Sequence, residues 1–244
     1  MGPNPALAAR VLVPVAAVAT LAVIASGFGA RFGVWSIGTA FTILRWGAYA
    51  ALAIAVLALA SAIVMTMDTR PRIVLMVACV VAAIAGAVPL AWMQRARGLP
   101  PINDITTDTR DPPAFAAILP LRSASTVPSA YPGKATADAQ QGAYPDIASV
   151  VLADPPEAAF AKALAEARAA GWTIIASDAG AGRIEATATT PWFGFRDDVV
   201  VRVAPDGRGS RVDVRSVSRI GRGDLGANAN RVREFTAAVA AASR

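Results

Sequence analysis

A chain of 244 residues that is 55% hydrophobic, with a mean hydropathy of +0.48, is too apolar for an ordinary soluble domain, so a membrane-spanning portion is expected. The net charge of +6 belongs to the part up to Gly98, which holds seven arginines and one aspartate, and this distribution is poor evidence for nucleic-acid binding. Histidine is absent, and the single cysteine, Cys79, lies in an apolar segment, which argues against zinc sites, Ser-His-Asp triads and thiol chemistry. We expect no metal and no cofactor.

Three uncharged segments are each long enough to cross the hydrocarbon core of a bilayer, which takes about 20 apolar residues. They are Val11 to Ala30, Trp46 to Met67 and Ile73 to Met93. A cleaved signal peptide is the alternative for the first segment, but its length and the two spans that follow favour a transmembrane helix. None of the three carries a charge at mid-depth, which argues against a transporter or channel. We therefore predict that residues 1–97 form a three-helix membrane anchor.

Residues 98–147 have the composition of a linker and an entry motif. Eight prolines occur there among Ser, Thr, Gly and Asp residues, and no periodicity is sustained. The run from Asn103 to Thr109 alternates oxygen ligands, yet it lacks the central glycine and the glutamate of an EF-hand loop, so no metal site is predicted. We expect an extended chain that lies against the domain that follows.

Residues 148–244 have the pattern of a folded domain. An apolar strand precedes a helix that Asp154 caps, four strand-like runs follow between Trp172 and Arg219, and Asp224 caps a closing helix. Strands joined by short turns indicate an antiparallel meander. The predicted fold class is therefore α+β: three transmembrane α-helices followed by a two-layer domain, in which two helices pack on an antiparallel sheet of about five strands.

The alternation of apolar and polar residues also predicts the register of the central hairpin. An Asp-Gly step provides its turn, and a slip by one residue would push the valines into water. The predicted pairs are Val203 with Val212, Val201 with Val214, Arg202 with Asp213 and Val200 with Arg215. The two helices are expected to cover the valine face, which leaves the charged face for water, a membrane surface or a partner.

Three stretches of the chain resemble a known family. They read PPINDITTDTRDPPAF at 100–115, ATTPWFGFRDDVVVRV at 188–203 and GSRVDVRSVSRIGRGDLGANANRVREF at 209–235, and they are similar to the bacterial and plastid family DUF1499, a domain of unknown function. The resemblance implies a membrane-anchored, lipid-anchored or lumenal domain with no established reaction. Arginines flank the spans almost equally on both sides, so the resemblance decides the predicted location: a multi-pass protein of the bacterial inner membrane with a periplasmic domain.

Several arginines are candidates for binding a ligand. Arg215, Arg219 and Arg222 lie where a strand runs into the loop before the last helix, which Asp224 caps. Helix N-terminal amides carry partial positive charge, and arginine forks suit phosphate. These residues, with Arg202 on the charged face, are therefore predicted to bind an anionic group such as a lipid headgroup. The alternative is that the arginines pair with aspartates of the same chain.

An aromatic turn is the second candidate for a binding surface. Trp192, Phe193 and Phe195 lie in a turn made by Pro191 and Gly194, and three large rings are costly to expose unless they pack or bind something. We predict a membrane-contacting or ligand-lining tip. The alternative is that the rings close the end of the core.

These features predict a membrane-anchored envelope protein that acts as a binding or scaffolding module rather than an enzyme. Its expected partners are membrane lipids or another envelope protein, and no nucleic acid. The alternative is a hydrolase or isomerase that works at the membrane surface with carboxylates of the charged face, Glu185, Asp198 and Asp213. That alternative requires a concave pocket in which burial poises at least one carboxylate.

Overall fold

The computed structural model describes residues 5–64 and 68–243. The chain divides into two compact units. The first comprises Met1–Arg97 together with Pro191–Gly194, and the second comprises Gly98–Thr190 together with Phe195–Arg244. Four of the five residues of the aromatic turn, Pro191–Gly194, therefore group with the N-terminal helices, whereas the segment 98–147 groups with the sheet.

The first unit contains three helices, each long and apolar enough to cross a membrane by length and composition. They are α1 (Pro5–Arg31), α2 (Ile37–Val64) and α3 (Thr69–Ala96). The prediction of three long apolar helices is confirmed. Helix α2 begins earlier than expected because Ser36 accepts a hydrogen bond from the backbone N–H of Thr39 at 3.1 Å, which is a helix cap. The last three residues of the predicted second span, 65–67, lie outside the described residues.

Small side chains let the three helices approach closely. A Cβ added to Gly86 of α3 would lie 2.7 Å from the carbonyl oxygen of Ala48 on α2, so only glycine fits at this contact. Ala51, Ala58 and Ala82 are also fully buried. Interfaces of this kind are typical of transmembrane helices, where close backbone packing replaces the hydrophobic effect.

The second unit is built on one antiparallel sheet. Its strands are β1 (Asp104–Thr106), β2 (Val150–Leu152), β3 (Thr173–Asp178), β4 (Arg183–Thr189), β5 (Arg196–Asp206) and β6 (Gly209–Ser218). The order is β1-β6-β5-β4-β3, and β2 pairs with the other end of β6. Three helices accompany the sheet, α4 (Lys134–Ala143), α5 (Pro156–Ala169) and α6 (Ala227–Ala241). The predicted α+β class is confirmed. Three helices accompany the sheet and not two, because α4 forms in the segment 98–147 that was predicted to be extended, and β1 of the same segment also lacked a sequence signal.

The predicted register of the central hairpin is confirmed. Strands β5 and β6 pair Val201 with Val214, Val203 with Val212, Arg202 with Asp213 and Val200 with Arg215. The valine face packs against α5 and α6 in the main core. There the rings of Trp172 and Phe235 stack with their centroids 4.9 Å apart, and Val232 and Val239 complete the buried apolar stripe of the closing helix.

The opposite face of the sheet differs from the prediction, because it is not open to water. Residues 104–131, called the strap below, first pair with β6 as strand β1 and then cross this face. Phe115 and Ile118 of the strap form an apolar cluster with Val200 and Val217 of the sheet. The charged residues of this face are consequently buried: Glu185, Asp198 and Asp213 have no exposed surface. The strap covers the face because it brings arginine, aspartate and backbone N–H groups that match those charges.

The outer edge of β1 is closed by one side chain of α4. The Gln140 amide donates to the carbonyl oxygen of Thr106 at 2.6 Å and accepts from the Thr106 backbone N–H at 3.0 Å. It thereby acts as the missing neighbouring strand. An exposed row of unpaired backbone groups would otherwise remain at this edge.

Changing Gln140 to Leu should lower the free energy of unfolding by about 1–3 kcal/mol, because two buried backbone groups of Thr106 lose their partners. Urea unfolding of the full chain in detergent, followed by circular dichroism, measures the loss. The neighbouring change Gln141→Leu removes only an exposed amide that donates to Thr109, and it should stay within about 0.5 kcal/mol. Equal losses for the two variants would contradict the role of Gln140.

Candidate functional site

Arg215 is buried at the centre of the charged face, where the strap crosses β6. Its Nε and Nη2 atoms donate to both carboxylate oxygens of Asp104 at 2.9 and 2.7 Å. The remaining donors bond to the carbonyl oxygens of Pro113 and Ser129. The rings of Phe115 and Tyr131 lie 5.3 and 5.4 Å from the guanidinium. Each guanidinium nitrogen of Arg215 thus has a partner within the chain.

Burial changes the ionisation of the groups around this arginine. It raises the pKa of Asp104 against the opposing effect of Arg215, and it raises the pKa of Tyr131 to about 12. Both shifts follow from desolvation, which penalises the charged form of an acid. The arrangement is that of a buried ion pair that holds two segments together.

Asp198 accepts hydrogen bonds from two further arginines. Arg122 of the strap donates to it at 2.6 Å, and Arg219 donates through Nε and Nη2 at 2.9 and 2.8 Å. The Thr187 hydroxyl adds a fourth bond at 2.8 Å. The carboxylate therefore joins β4, the end of β6 and the strap.

Glu185 is held by the backbone of the strap. The N–H groups of Ala116, Ala117 and Ile118 all donate to its carboxylate at 2.9 to 3.1 Å. Arg183 adds an ion pair at 3.2 Å. Successive backbone N–H groups that converge in this way form an anion-binding nest, and here the anion is a side chain of the same domain.

Arg202 ties the remaining part of the strap to β5. It donates to Asp213 through Nε at 3.1 Å and Nη2 at 2.9 Å, and to Asp111 through Nη1 at 2.7 Å. The predicted pair with Asp213 is confirmed, but the expectation that it would be exposed is wrong, because Asp213 is fully buried. Burial opposes ionisation of the nearby Asp108, yet backbone N–H groups of Asp111 and Arg110 prevail, and its pKa is lowered.

The three carboxylates considered for acid–base chemistry are thus all engaged. Glu185, Asp198 and Asp213 accept hydrogen bonds or ion pairs from named donors and are fully buried. A general acid or base must reach a proton of the substrate, whereas these groups face the strap. The arrangement matches the alternative given for the arginines, in which the charged side chains of this face pair with each other within the chain.

Helix α6 begins two residues later than predicted, at Ala227, so Gly226 and not Asp224 stands at the N-cap position, but Asp224 still bonds to the start of the helix. Its carboxylate accepts from the backbone N–H groups of Gly226 at 2.9 Å and Asn228 at 2.7 Å. Burial raises its pKa against these two bonds. The first amides of α6 are therefore already occupied by a carboxylate, so the helix N-terminus does not offer them to another anion.

Trp192 and Phe193 lie within the first unit. The Trp192 indole donates to the carbonyl oxygen of Ile24 at 2.9 Å and packs edge-to-face on Trp92 at 6.2 Å. Phe193 is buried and stacks on Phe41 with centroids 5.2 Å apart. Gly27 makes room for the indole, since a Cβ there would lie 2.5 Å from the Trp192 ring. These rings pack against the three apolar helices.

Phe195, the third aromatic residue of the predicted tip, belongs to the second unit. Its backbone carbonyl accepts a hydrogen bond from the Thr190 N–H at 2.8 Å, which closes the loop between β4 and β5. Trp192 and Phe193 thus group with the helices, whereas Phe195 groups with the sheet. Their role in binding a ligand stays a prediction.

One end of the sheet carries cations that remain exposed. We call it the entry end: β5 begins there at Arg196, β6 ends there, and the chain enters the second unit there through Leu99, which lies beside Gly226. Arg196 and Arg222 are exposed, and in the described part of the chain neither guanidinium has an ion-pair or hydrogen-bond partner. Arg222 was predicted from the sequence. Arg196 was not among the residues predicted from the sequence. The residue opposite it on β4 is Thr189, which is not an acid.

The fold and the charges define a small α+β domain joined to three helices able to cross a membrane. A family profile described as "Protein of unknown function (DUF1499)" matches residues 104–239. This chain belongs to that family, as the sequence resemblance indicated. The match begins at the first residue of β1 and so includes the strap.

Other comparisons add little to this assignment. A search of curated proteins finds no match. Among solved structures, the crystal structure of TTHA0849 from Thermus thermophilus is similar at 15% sequence identity, over 40% of this chain and 97% of that chain, with a TM-score of 0.25. A TM-score at this level does not establish a shared fold.

Proposed function

We propose that this chain is a binding module of the bacterial cell envelope that recognises anionic lipid headgroups. Its three helices would hold it in the inner membrane, and its second unit would lie outside the cytoplasm. The observation that carries this proposal is the separation of charges in the second unit. Arg122, Arg215, Arg219 and Arg231 are paired inside the domain. Arg196 and Arg222 are exposed, have no such partner among the described residues, and share the entry end.

Charge chemistry favours lipid over a protein partner. Arginine binds phosphate through paired N–H groups, and it is more weakly hydrated than lysine. A domain tethered beside a bilayer meets headgroup phosphates at high effective concentration, so even weak contacts are populated. Basic groups near an anionic leaflet contribute about 1 kcal/mol each to association.

Hydrogen–deuterium exchange of the full chain in lipid nanodiscs tests the proposal. Backbone amides of residues 98–244 should exchange more slowly in nanodiscs that contain phosphatidylglycerol than in nanodiscs of phosphatidylethanolamine. The difference should shrink as salt rises, because surface electrostatics are screened. Identical exchange across the whole second unit in both lipids at low salt would rule out headgroup binding.

The proposed orientation has a separate test. A C-terminal alkaline phosphatase fusion, which is active only outside the cytoplasm, should be active, and a C-terminal green fluorescent protein fusion should be dark after export. The opposite pattern would place the second unit in the cytoplasm and reject the proposed orientation.

A further inference from the structure

Two arginines at the entry end differ from the arginines on the charged face of the sheet. Arg122, Arg202, Arg215 and Arg219 each bond to a carboxylate of the same chain. Arg196 and Arg222 are exposed, and within residues 5–64 and 68–243 neither has such a bond. An exposed guanidinium without an acid beside it retains its full positive potential toward solvent.

These two arginines belong to the same end of the sheet. The backbone N–H of Arg219 donates to the carbonyl oxygen of Arg196 at 3.1 Å, which places the start of β5 beside the end of β6. Arg222 follows Arg219 after two residues, a chain length of at most about 10 Å. The two arginines therefore belong to one end of the second unit.

Two large apolar side chains are exposed at the same end of the second unit. Leu121, in the strap, is 50% exposed, and its carbonyl oxygen accepts from Arg219 at 3.0 Å. Leu225 is 60% exposed and lies three residues beyond Arg222. Leucines rimmed by arginines form the pattern of a surface that enters the boundary between headgroups and acyl chains.

The backbone at Leu225 supports a functional role for its exposure. Its φ of 57° makes it the one non-glycine residue with positive φ in the described part of the chain. A left-handed conformation is unfavourable for leucine and persists only where the surroundings enforce it. Here the Asp224 carboxylate, just before Leu225, accepts hydrogen bonds from the N–H groups of Gly226 and Asn228, which follow it. These bonds fix the loop that presents Leu225 outward.

The chain enters the second unit close to these residues. Helix α3 ends at Ala96, and Leu99 already packs against the main core beside Gly226. Only Arg97 and Gly98 separate the two. The covalent connection from the third apolar helix therefore enters the second unit at the entry end, next to the loop that carries Arg222 and Leu225.

We infer that Arg196, Arg222, Leu121 and Leu225 form a docking surface for an anionic bilayer, with the arginines on lipid phosphates and the leucines in the interfacial layer. This inference rests on the proposed function and names the part of the chain that performs it. No covalent step is involved. Docking is an equilibrium, and each arginine removed should lower the ratio of docked to undocked protein about fivefold.

The test uses the full chain in nanodiscs with an environment-sensitive NBD label at position 225. The label is placed on Leu225→Cys in a Cys79→Ala background, so that one apolar group replaces another. In phosphatidylglycerol nanodiscs the label should be shielded from aqueous iodide, and in phosphatidylethanolamine nanodiscs it should be quenched. Arg196→Gln and Arg222→Gln should each restore quenching, and together they should lower the docked-to-undocked ratio about 25-fold.

Matched controls come from the opposite end of the sheet. Arg208 is exposed in the turn between β5 and β6, and Arg208→Gln removes the same charge without affecting the label at position 225. Val151 is 66% exposed on β2, and a label on Val151→Cys should be quenched in both lipids. Unchanged urea midpoints for the Arg196 and Arg222 variants show that they fold, as exposed and unpaired side chains allow.

Each outcome separates the inference from the proposed function. Equal quenching of the label at position 225 in both lipids overturns the docking surface. If amide exchange in residues 98–244 still depends on anionic lipid in that case, headgroup binding stands and occurs elsewhere on the second unit. If neither the label nor the exchange depends on lipid charge, both ideas fail. Shielding that persists in the double Arg→Gln variant also overturns the role given to the arginines.

Discussion

Replacing Arg215 with Met is expected to lower the free energy of unfolding of the second unit by about 3–5 kcal/mol. The change leaves Asp104, which is 2% exposed, without its two charge-assisted hydrogen bonds. A buried carboxylate that loses its partner retains the full cost of desolvation, so the loss exceeds what the pair contributes when intact. Urea unfolding of the full chain in detergent, followed by circular dichroism of the sheet, measures the effect.

Two further variants make this result specific. Arg208→Met makes the same change at the exposed hairpin turn, and it should stay within about 0.5 kcal/mol. The double variant Asp104→Leu with Arg215→Met should recover much of the loss, because an apolar pair can replace a buried ion pair at little cost. If Arg215→Met unfolds at the same urea concentration as Arg208→Met, the ion pair does not hold the strap.

The features that the sequence predicted well are those that neighbouring residues determine. Alternation along β5 and β6 assigns each valine to a face, and the burial of that face then selects one register. Val201 and Val214 pair as expected for this reason. The bonding of Asp224 to the start of α6 and the three apolar helices follow from equally local signals, namely a capping residue before an amphipathic run and long uncharged segments.

The strap could not be predicted in the same way, because its partners are distant in the chain. Asp104 and Arg215 are separated by 111 positions, and the proline-rich segment between the helices and the sheet has no periodicity to indicate a face. The distribution of charge along the chain was the one signal for this pairing. Residues 99–182 carry five basic and nine acidic residues, whereas residues 183–244 carry eleven and seven. Equal and opposite charges within one domain favour pairing between its two parts.

The candidate binding residues also differ in whether neighbouring residues in the sequence reveal their partners. A count of arginines identifies cations but not their partners, so Arg202, Arg215 and Arg219 were grouped with Arg222 although the first three pair within the chain. The strand register indicates the partner of an arginine better than a count of arginines does. An arginine that faces threonine on the next strand, as Arg196 faces Thr189, is left without an acid, and such a residue remains available to an external anion.

Changing Asp198 to Asn should also cost about 3–5 kcal/mol, for the opposite reason: it removes a buried anion and leaves the cations. Arg122, 7% exposed, and Arg219 both donate to this carboxylate. Asparagine has nearly the same shape, but it offers one acceptor oxygen and turns an NH₂ group toward the remaining donors. Two guanidinium groups then repel each other in a desolvated site, and the strap loses its contact with the end of β6.

Asp198→Asn should also expose one part of the strap, besides lowering the free energy of unfolding. Hydrogen–deuterium exchange should accelerate first in residues 119–127, because Arg122 and the two backbone bonds from Thr126 and Val127 to Arg219 attach this part of the strap. Asp206→Asn removes a carboxylate of the exposed hairpin, and it should change neither exchange nor stability by more than about 0.5 kcal/mol. An Asp198→Asn protein as stable as Asp206→Asn, with the strap equally protected, would show that apolar packing of Phe115 and Ile118 alone retains the strap on the sheet.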